Sequence, residues 1–276
     1  MPRPSEHGRD GAREPLVLLH GIGSSADAWR PVMGALETRH EVLALNLPGF
    51  GGAPELPRGT RPDVAALADA VERELAAAGF DRLHIAGNSL GGWTALELAR
   101  RGRVRRVVAL SPAGMWTERE RRYSDAMLRL AYAGTRRVRA QASVLTRSAA
   151  ARTALFSLVA SRPWRLDPED ARRAIEALAD ADVFLETLEA TLSDRANRLE
   201  EIAVPTLIAW GTRDRLLLPR QGQRFARAIP GAELRRLSGC GHIPMWDDPD
   251  LVATTILSFT ASDVSASSAP SAVGAA

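Results

Sequence analysis

Lysine is absent. All 36 basic side chains of the 276-residue chain are arginine, so arginine stands even where no bidentate contact is needed. That reads as a GC-rich coding bias, and it accounts for much of the isoelectric point near 9.9. The 33 acidic residues leave a net charge of only +3, and no basic stripe is interleaved with aromatics. Nucleic acid is therefore excluded as a partner. A single cysteine, Cys240, excludes an internal disulfide and a cysteine-based metal cluster. No stretch approaches the roughly 18 to 20 continuous apolar residues of a membrane span, so no membrane is expected. The polar segment 1–14 offers no apolar core for a signal peptide, which makes the cytoplasm the expected location. There is no G-x-G-x-x-G after a strand, no Walker pattern and no His/Cys ligand cluster, so no nucleotide, flavin or metal is called for. The expected cofactor list is empty.

What is present is apolar material enough for a sizeable core, 45% of the residues, in a length suited to one domain carrying an insertion. Short apolar runs alternate with helical patterns. Strands are expected at 15–19, 41–45 and 104–110 and in the apolar run that opens at Leu83 and breaks at Gly87, and helices at 26–38, at 63–78 behind an Asp63 cap, and over 93–100. Such alternation predicts βαβ units and a mostly parallel sheet. From 116 to 198 the alternation stops, and the pattern is helical throughout, broken near Gly134, Pro163 and Pro168. The first half of this stretch is rich in arginine and the second in acid, as expected of two helical halves pairing their charges over an apolar seam. The α/β rhythm returns with strands at 204–210 and 233–237 and helices at 219–228 and 249–260. The expected division is a polar segment 1–14, a core of 15–115 and 199–260, a helical cap 116–198 and a disordered Ser/Ala-rich tail 261–276.

The chemistry gathers at Gly87-Asn88-Ser89-Leu90-Gly91-Gly92. This is the strand–turn–helix spelling G-x-S-x-G, in which the turn is too tight for a β-carbon at either flanking glycine. The turn lifts the hydroxyl above the sheet edge and aims the first N–H groups of a helix at the same point. A serine hydroxyl is a weak nucleophile; it needs a base, and the base needs a partner that fixes its tautomer. Asp214 and His242, like Ser89, each follow directly after a predicted strand. In a parallel sheet all three then open on one edge. Their order along the chain, Ser…Asp…His, is that of the α/β-hydrolases.

The sequence resembles an α/β-hydrolase of the single-domain type with a helical cap. The likeness runs from about 16 to 259 and rests on His20-Gly21-Ile22-Gly23, Leu47-Pro48-Gly49-Phe50-Gly51, the Ser89 turn, Trp210-Gly211-Thr212-Arg213-Asp214 and Gly241-His242-Ile243-Pro244. The resemblance implies Ser89 as nucleophile, His242 as general base and acid, and Asp214 as its orienting partner. It also implies an oxyanion hole formed by the backbone N–H groups of Ile22 and Leu90. An acid after the 104–110 strand is a known variant of the family, but Ser111-Pro112 stands there, which favours Asp214. An aspartate at 89 would mark epoxide hydrolases or haloalkane dehalogenases, and the serine argues against both. Acyl transfer from a small ester to water is the reaction implied first. Carbon–carbon or lactone hydrolysis comes second, since Asn88 fits ring-cleavage hydrolases while Ile22 and Ile243 replace residues usual in them. A lyase, an acyltransferase or a ligand-binding protein on the same fold is the remaining class. Many members carry a longer N-terminal hairpin than the 15 residues before Leu16 allow.

Competing readings attach to the other polar residues. His20 is read as holding the oxyanion loop, His84 as a core or edge histidine, and Asp247, Asp248 and Asp250 as caps of the last helix. Asp125 is read as solvated, and Cys240 as packed, with nothing nearby to lower its pKa. His7 and His40 have no readable partner. The apolar residues nearest the catalytic loops in sequence, Trp93, Met115, Trp116, Trp210, Ile243 and Met245, are the candidates for an apolar substrate pocket. The partner expected is a small molecule; oligomeric state is not encoded legibly.

Overall fold

The computed structural model describes residues 13–80 and 82–261. Positions 1–12 and 262–276, on which the expected polar segment, disordered tail and shortened hairpin largely fall, lie outside the described residues, as does His7. Six strands form one sheet: β1 (Glu14–Leu19), β2 (His40–Leu45), β3 (Leu83–Asn88), β4 (Val104–Leu110), β5 (Thr206–Gly211) and β6 (Glu233–Leu237). Their order is β2-β1-β3-β4-β5-β6, and all five pairings are parallel. The inner strands β1, β3, β4 and β5 are largely apolar on both faces because both faces are covered, while the edge strand β6 carries Glu233, Arg235 and Arg236.

A 3-10 turn (Ala26–Trp29) leads into α1 (Arg30–Leu36), where one continuous helix 26–38 is expected. Pro31 is the cause: it has no N–H to give to Asp27, whose carbonyl is instead taken by Arg30 in a tighter turn. α2 (Val64–Ala77) follows, with the Asp63 carboxylate accepting from the Ala66 N–H at 2.9 Å as expected of the cap. α3 (Leu90–Arg100) leaves directly from Ser89. Between β4 and β5 lie α4 (Glu118–Val138), α5 (Ala142–Leu145), α6 (Ala149–Phe156), α7 (Pro168–Ala179) and α8 (Phe184–Leu192). After β5 come α9 (Arg220–Ala228), α10 (Pro244–Asp247) and α11 (Pro249–Thr260).

Side-chain alternation along the strands divides the core in two. Val17, Leu19, Ile85, Val107, Ala109, Ile208 and Trp210 join a cluster with residues of α2, α3 and α9. Leu16, Leu18, Ala86, Val108, Leu110, Leu207 and Ala209 join another with residues of α1 and α11. The chain steps from β1 to β2 on one side and to β3 on the other. The crevice above the carboxyl ends of β1 and β3 is therefore a topological switch point, where ligands of open parallel sheets bind.

The helical insertion departs from expectation at Gly134. α4 runs straight through it for 21 residues and breaks only at the 3-10 turn Arg139–Gln141. One glycine costs a helix about 1 kcal/mol, an amount that packing such as the stacking of Tyr132 on Phe184, ring centroids 4.6 Å apart, is large enough to outweigh. The charge halves meet where α4 ends against α7: Arg139 pairs with Asp180 at 2.7 Å and Arg136 with Asp182 at 3.5 Å. Other arginines pair within their own helix, as Arg129 does with Asp125. The start of α4 is fastened to the core through Glu120. It closes a capping box with Thr117 and accepts from Arg220 and Arg224 of α9 at 2.5 and 2.7 Å. Burial would raise its carboxyl, but these hydrogen bonds prevail and hold it at about 2. Among the described residues no helix is long and apolar enough to cross a membrane.

Candidate active site

Ser89 occupies the turn between β3 and α3 with φ 57° and ψ −116°, a backbone state that costs a non-glycine residue about 1–3 kcal/mol. The surroundings hold it there. Its N–H donates to the Leu110 carbonyl at 3.0 Å, and its own carbonyl accepts from Trp93 and Ala113 at 3.0 and 3.1 Å. Both flanking glycines are obligatory by contact: a β-carbon on Gly87 would overlap the Gly91 carbonyl, and one on Gly91 would overlap the carbonyls of Leu19 and His20. The strand, the loop after β1 and the start of α3 are thus packed backbone to backbone around the serine.

His242, on the loop after β6, donates from Nδ1 to Asp214 Oδ2 at 2.8 Å. The other oxygen of Asp214 accepts the N–H groups of Leu216 and Leu217, both at 2.9 Å, so the buried carboxylate is fixed from two sides. Ser89 and His242 line the same cavity. Ile22 lines it too, and Leu90 is the first residue of α3. Neither the Ile22 nor the Leu90 N–H donates to another group of the described residues.

His20 holds the loop after β1. It is fully buried, donating from Nδ1 to the Gly21 carbonyl at 2.8 Å and accepting the Leu47 N–H on Nε2 at 2.9 Å. Burial keeps the ring neutral by lowering its pKa to about 4. His84 is buried against Glu14, and His40 bridges the Glu14 carbonyl to Thr260. Cys240 packs with no exposure; burial first, then the charges of Asp247 and Asp248, push its thiol up to about 12.

Two positioning groups escape sequence reasoning. The Asn88 amide donates to the carbonyls of Leu110 and His242 at 3.1 and 3.0 Å, tying the histidine loop to the end of β4. Asp247, expected to cap α11, does something else, and Asp248 caps the helix by accepting from Leu251 at 3.0 Å. Asp247 is buried and accepts the N–H groups of Ser161 at 2.9 Å, and of Arg162 and Gly241, both at 2.7 Å. Its carboxylate pins the helical insertion to the histidine loop. The Ile243 N–H donating to Val159 at 2.9 Å and the Ser161 hydroxyl donating to Gly239 reinforce that seam.

The cavity measures about 400 Å³ and is walled mainly by the insertion: Met127, Leu128 and Leu130 of α4, Leu155 of α6, Leu178 of α7, and Phe184 of α8. Among the described residues no arginine, aspartate or glutamate lines it; its polar members are Ser24, Asn88, Ser89, Thr135 and His242. Of the expected pocket residues, Ile243 lines this cavity and Trp116 lines a small recess beside it. Trp93, Met115, Trp210 and Met245 line neither. Trp93 packs edge-to-face on Trp116, and Met115 packs against the sheet cluster of α2 and α3. Trp210 donates to the Leu217 carbonyl from the sheet core. Met245 is fully buried in the cluster of α1 and α11. Proximity in sequence to a catalytic loop put these four forward; the strand and helices that carry Trp93, Trp210 and Met245 turn them inward, and Met115 sits half-buried in the loop after β4.

A parallel sheet with its reactive groups on the loops of one edge is the architecture of the α/β hydrolases, and the chain belongs to that family: the family model for the alpha/beta hydrolase fold matches residues 14–249. The chain is 34% identical over 205 residues to the epoxide hydrolase EphH of Mycobacterium tuberculosis, across 71% of this chain and 94% of that protein. It is 30% identical over 274 residues to a 2-hydroxy-6-oxononadienedioate/2-hydroxy-6-oxononatrienedioate hydrolase of Klebsiella pneumoniae, across 90% of this chain and 88% of that protein. Among solved structures, a bacterial membrane phospholipase A is similar with a TM-score of 0.73 at 27% identity, over 90% of this chain and 78% of that one.

Proposed function

We propose that the protein is a serine hydrolase that cleaves a carboxylic ester of a small apolar substrate through an acyl-enzyme on Ser89. The observation that carries this reading is a strained serine sharing one uncharged cavity with a histidine whose Nδ1 is held by a buried carboxylate. Held in that tautomer, His242 has Nε2 free to take the Ser89 proton as Oγ attacks the carbonyl carbon. The charge that develops on the carbonyl oxygen falls to the Ile22 and Leu90 N–H groups, the second at the positive end of α3. As the C–O bond to the alcohol breaks, the proton passes from His242 to the departing oxygen. Water then repeats the sequence on the acyl-serine and releases the acid. Residues 116–198 act as the cap that encloses the substrate.

The relatives act on epoxides and on a carbon–carbon bond, and two observations set this chain apart. The aspartate that the family's epoxide hydrolases use as nucleophile is Ser89 here. The dioate substrate named for the Klebsiella relative carries two carboxylates, whereas no arginine among the described residues lines this cavity. Burying two unpaired carboxylates against such a wall is strongly unfavourable. Carbon–carbon hydrolysis on the same triad is the second reading, favoured by that relative's identity across most of both chains.

The test is turnover of 4-nitrophenyl esters by wild type and Ser89→Ala. Hydrolysis that falls by about 10⁴-fold or more in the variant supports the reading. A folded wild type that ignores every ester yet cleaves a vinylogous keto acid overturns it in favour of the second.

A further inference from the structure

The space around Ser89 is unequal on its two sides. Beside the large cavity, and meeting it at Ser89, lies a recess of about 30 Å³ that shares Ile22, Ser89, Leu128 and Leu216 with it. His242 lines only the cavity, and Leu90 lines only the recess. This partition orients the tetrahedral carbon formed on Ser89. The departing alcohol oxygen must receive its proton from His242, so the alcohol lies on the cavity side. The oxyanion takes the Ile22 and Leu90 N–H groups. The one substituent left, the acyl carbon, points into the recess.

We propose that the enzyme is selective for a short acyl group on a bulky apolar alcohol, with the acyl group in the recess walled by Leu90, Ala113, Trp116, Leu188, Leu192 and Leu217. This rests on the ester reading and extends it to the two halves of the substrate. The recess offers room for roughly a methyl or ethyl group, while the cavity of about 400 Å³ takes a long or ring-bearing alcohol. Its walls are not soft. Trp116 is set edge-to-face against Trp93 with centroids 5.8 Å apart, and Leu188 and Leu192 of α8 are buried in the main core. A longer chain must displace close-packed side chains to enter.

Two ester series at constant leaving-group chemistry decide the matter. In 4-nitrophenyl esters, kcat/KM should fall at least tenfold from acetate to octanoate; in acetates of linear alcohols it should rise at least tenfold from ethyl to octyl, since a single methylene in an apolar pocket is worth about 10- to 200-fold. Leu192→Ala, which deepens the recess, should shift the acyl optimum to longer chains and leave the alcohol series unchanged; Leu188→Ala serves if that variant does not fold. Ser89-dependent turnover that prefers octanoate to acetate overturns the assignment while leaving ester hydrolysis intact. If no ester is turned over, labelling of Ser89 by 4-nitrophenyl methylphosphonate and octylphosphonate replaces the series, the alkyl group on phosphorus standing for the acyl chain. Faster labelling by the methyl compound supports the short-acyl recess, equal or slower labelling overturns it, and no labelling by either overturns both readings.

Discussion

His20 and His242 carry the same ring and are put to opposite uses by their partners. Both nitrogens of His20 are taken by backbone groups, one giving and one receiving, which fixes a neutral ring in a fully buried place. His242 has a carboxylate on one nitrogen and the cavity beside it. The first arrangement has a thermodynamic signature. Folded His20 takes up a proton only near pH 4, whereas in the unfolded chain a histidine does so near 6.5. Between those values the unfolded state binds more protons. Stability from this group is fully present above about pH 6.5 and is lost as the pH falls to about 4, by about 3 kcal/mol in all. Urea unfolding of wild type and His20→Gln across pH 4 to 7 should show the wild-type slope flattened in the variant by close to one proton. An unchanged slope would mean that the ring is not buried neutral in solution.

At the scale of elements, the helical insertion and the histidine loop behave as one piece. Asp247 accepts N–H groups from both, and Val159 accepts the Ile243 N–H along the same seam. Removing the carboxylate leaves two buried donors and one half-buried donor unsatisfied, so Asp247→Ala should cost about 3 kcal/mol in urea unfolding. Amide exchange should accelerate together at 159–162 and 239–243. Acceleration at one segment alone would show that the seam is not shared. This device was hidden in the sequence for a physical reason: Asp247 and Asp248 stand side by side ahead of a proline-started helix, and either could cap it. Only the packing of a segment some 85 residues earlier decides which does. The placement of Ser89, Asp214 and His242 was legible because its logic is local. Each lies on the loop that follows a strand, and parallel strands bring their carboxyl ends to one edge. The cavity wall was not legible, because an amphipathic helix such as α4 does not announce which neighbour its apolar stripe faces.

Across the whole molecule, the sequence pattern and the fold agree wherever period and punctuation decide, as in the strands 104–110 and 233–237 and the Asp63-capped helix. They part at Pro31 and Gly134, where a backbone preference competes with packing and the two residues give opposite results. The missing N–H of Pro31 cannot be compensated, so the helix yields. The missing side chain of Gly134 can be, so the helix continues. The pairing of arginine-rich and acid-rich halves is real but partial. It is concentrated where α4 ends against α7, among exposed groups worth at most about 1 kcal/mol per pair.

The buried thiol of Cys240 makes the histidine loop its own clock. With its pKa near 12, only about one molecule in ten thousand carries a thiolate at pH 8 while the loop is closed, and that thiolate has no access to solvent. Iodoacetamide can therefore react only during an opening event, and the alkylation half-life counts such events in the resting enzyme. If the loop opens by itself, alkylation of the wild type will be insensitive to low urea and will quicken in Asp247→Ala. If it opens only when the whole molecule does, the rate will track global unfolding in both proteins. The one sulfhydryl in the chain then distinguishes a candidate site that breathes from one that stays shut until the protein comes apart.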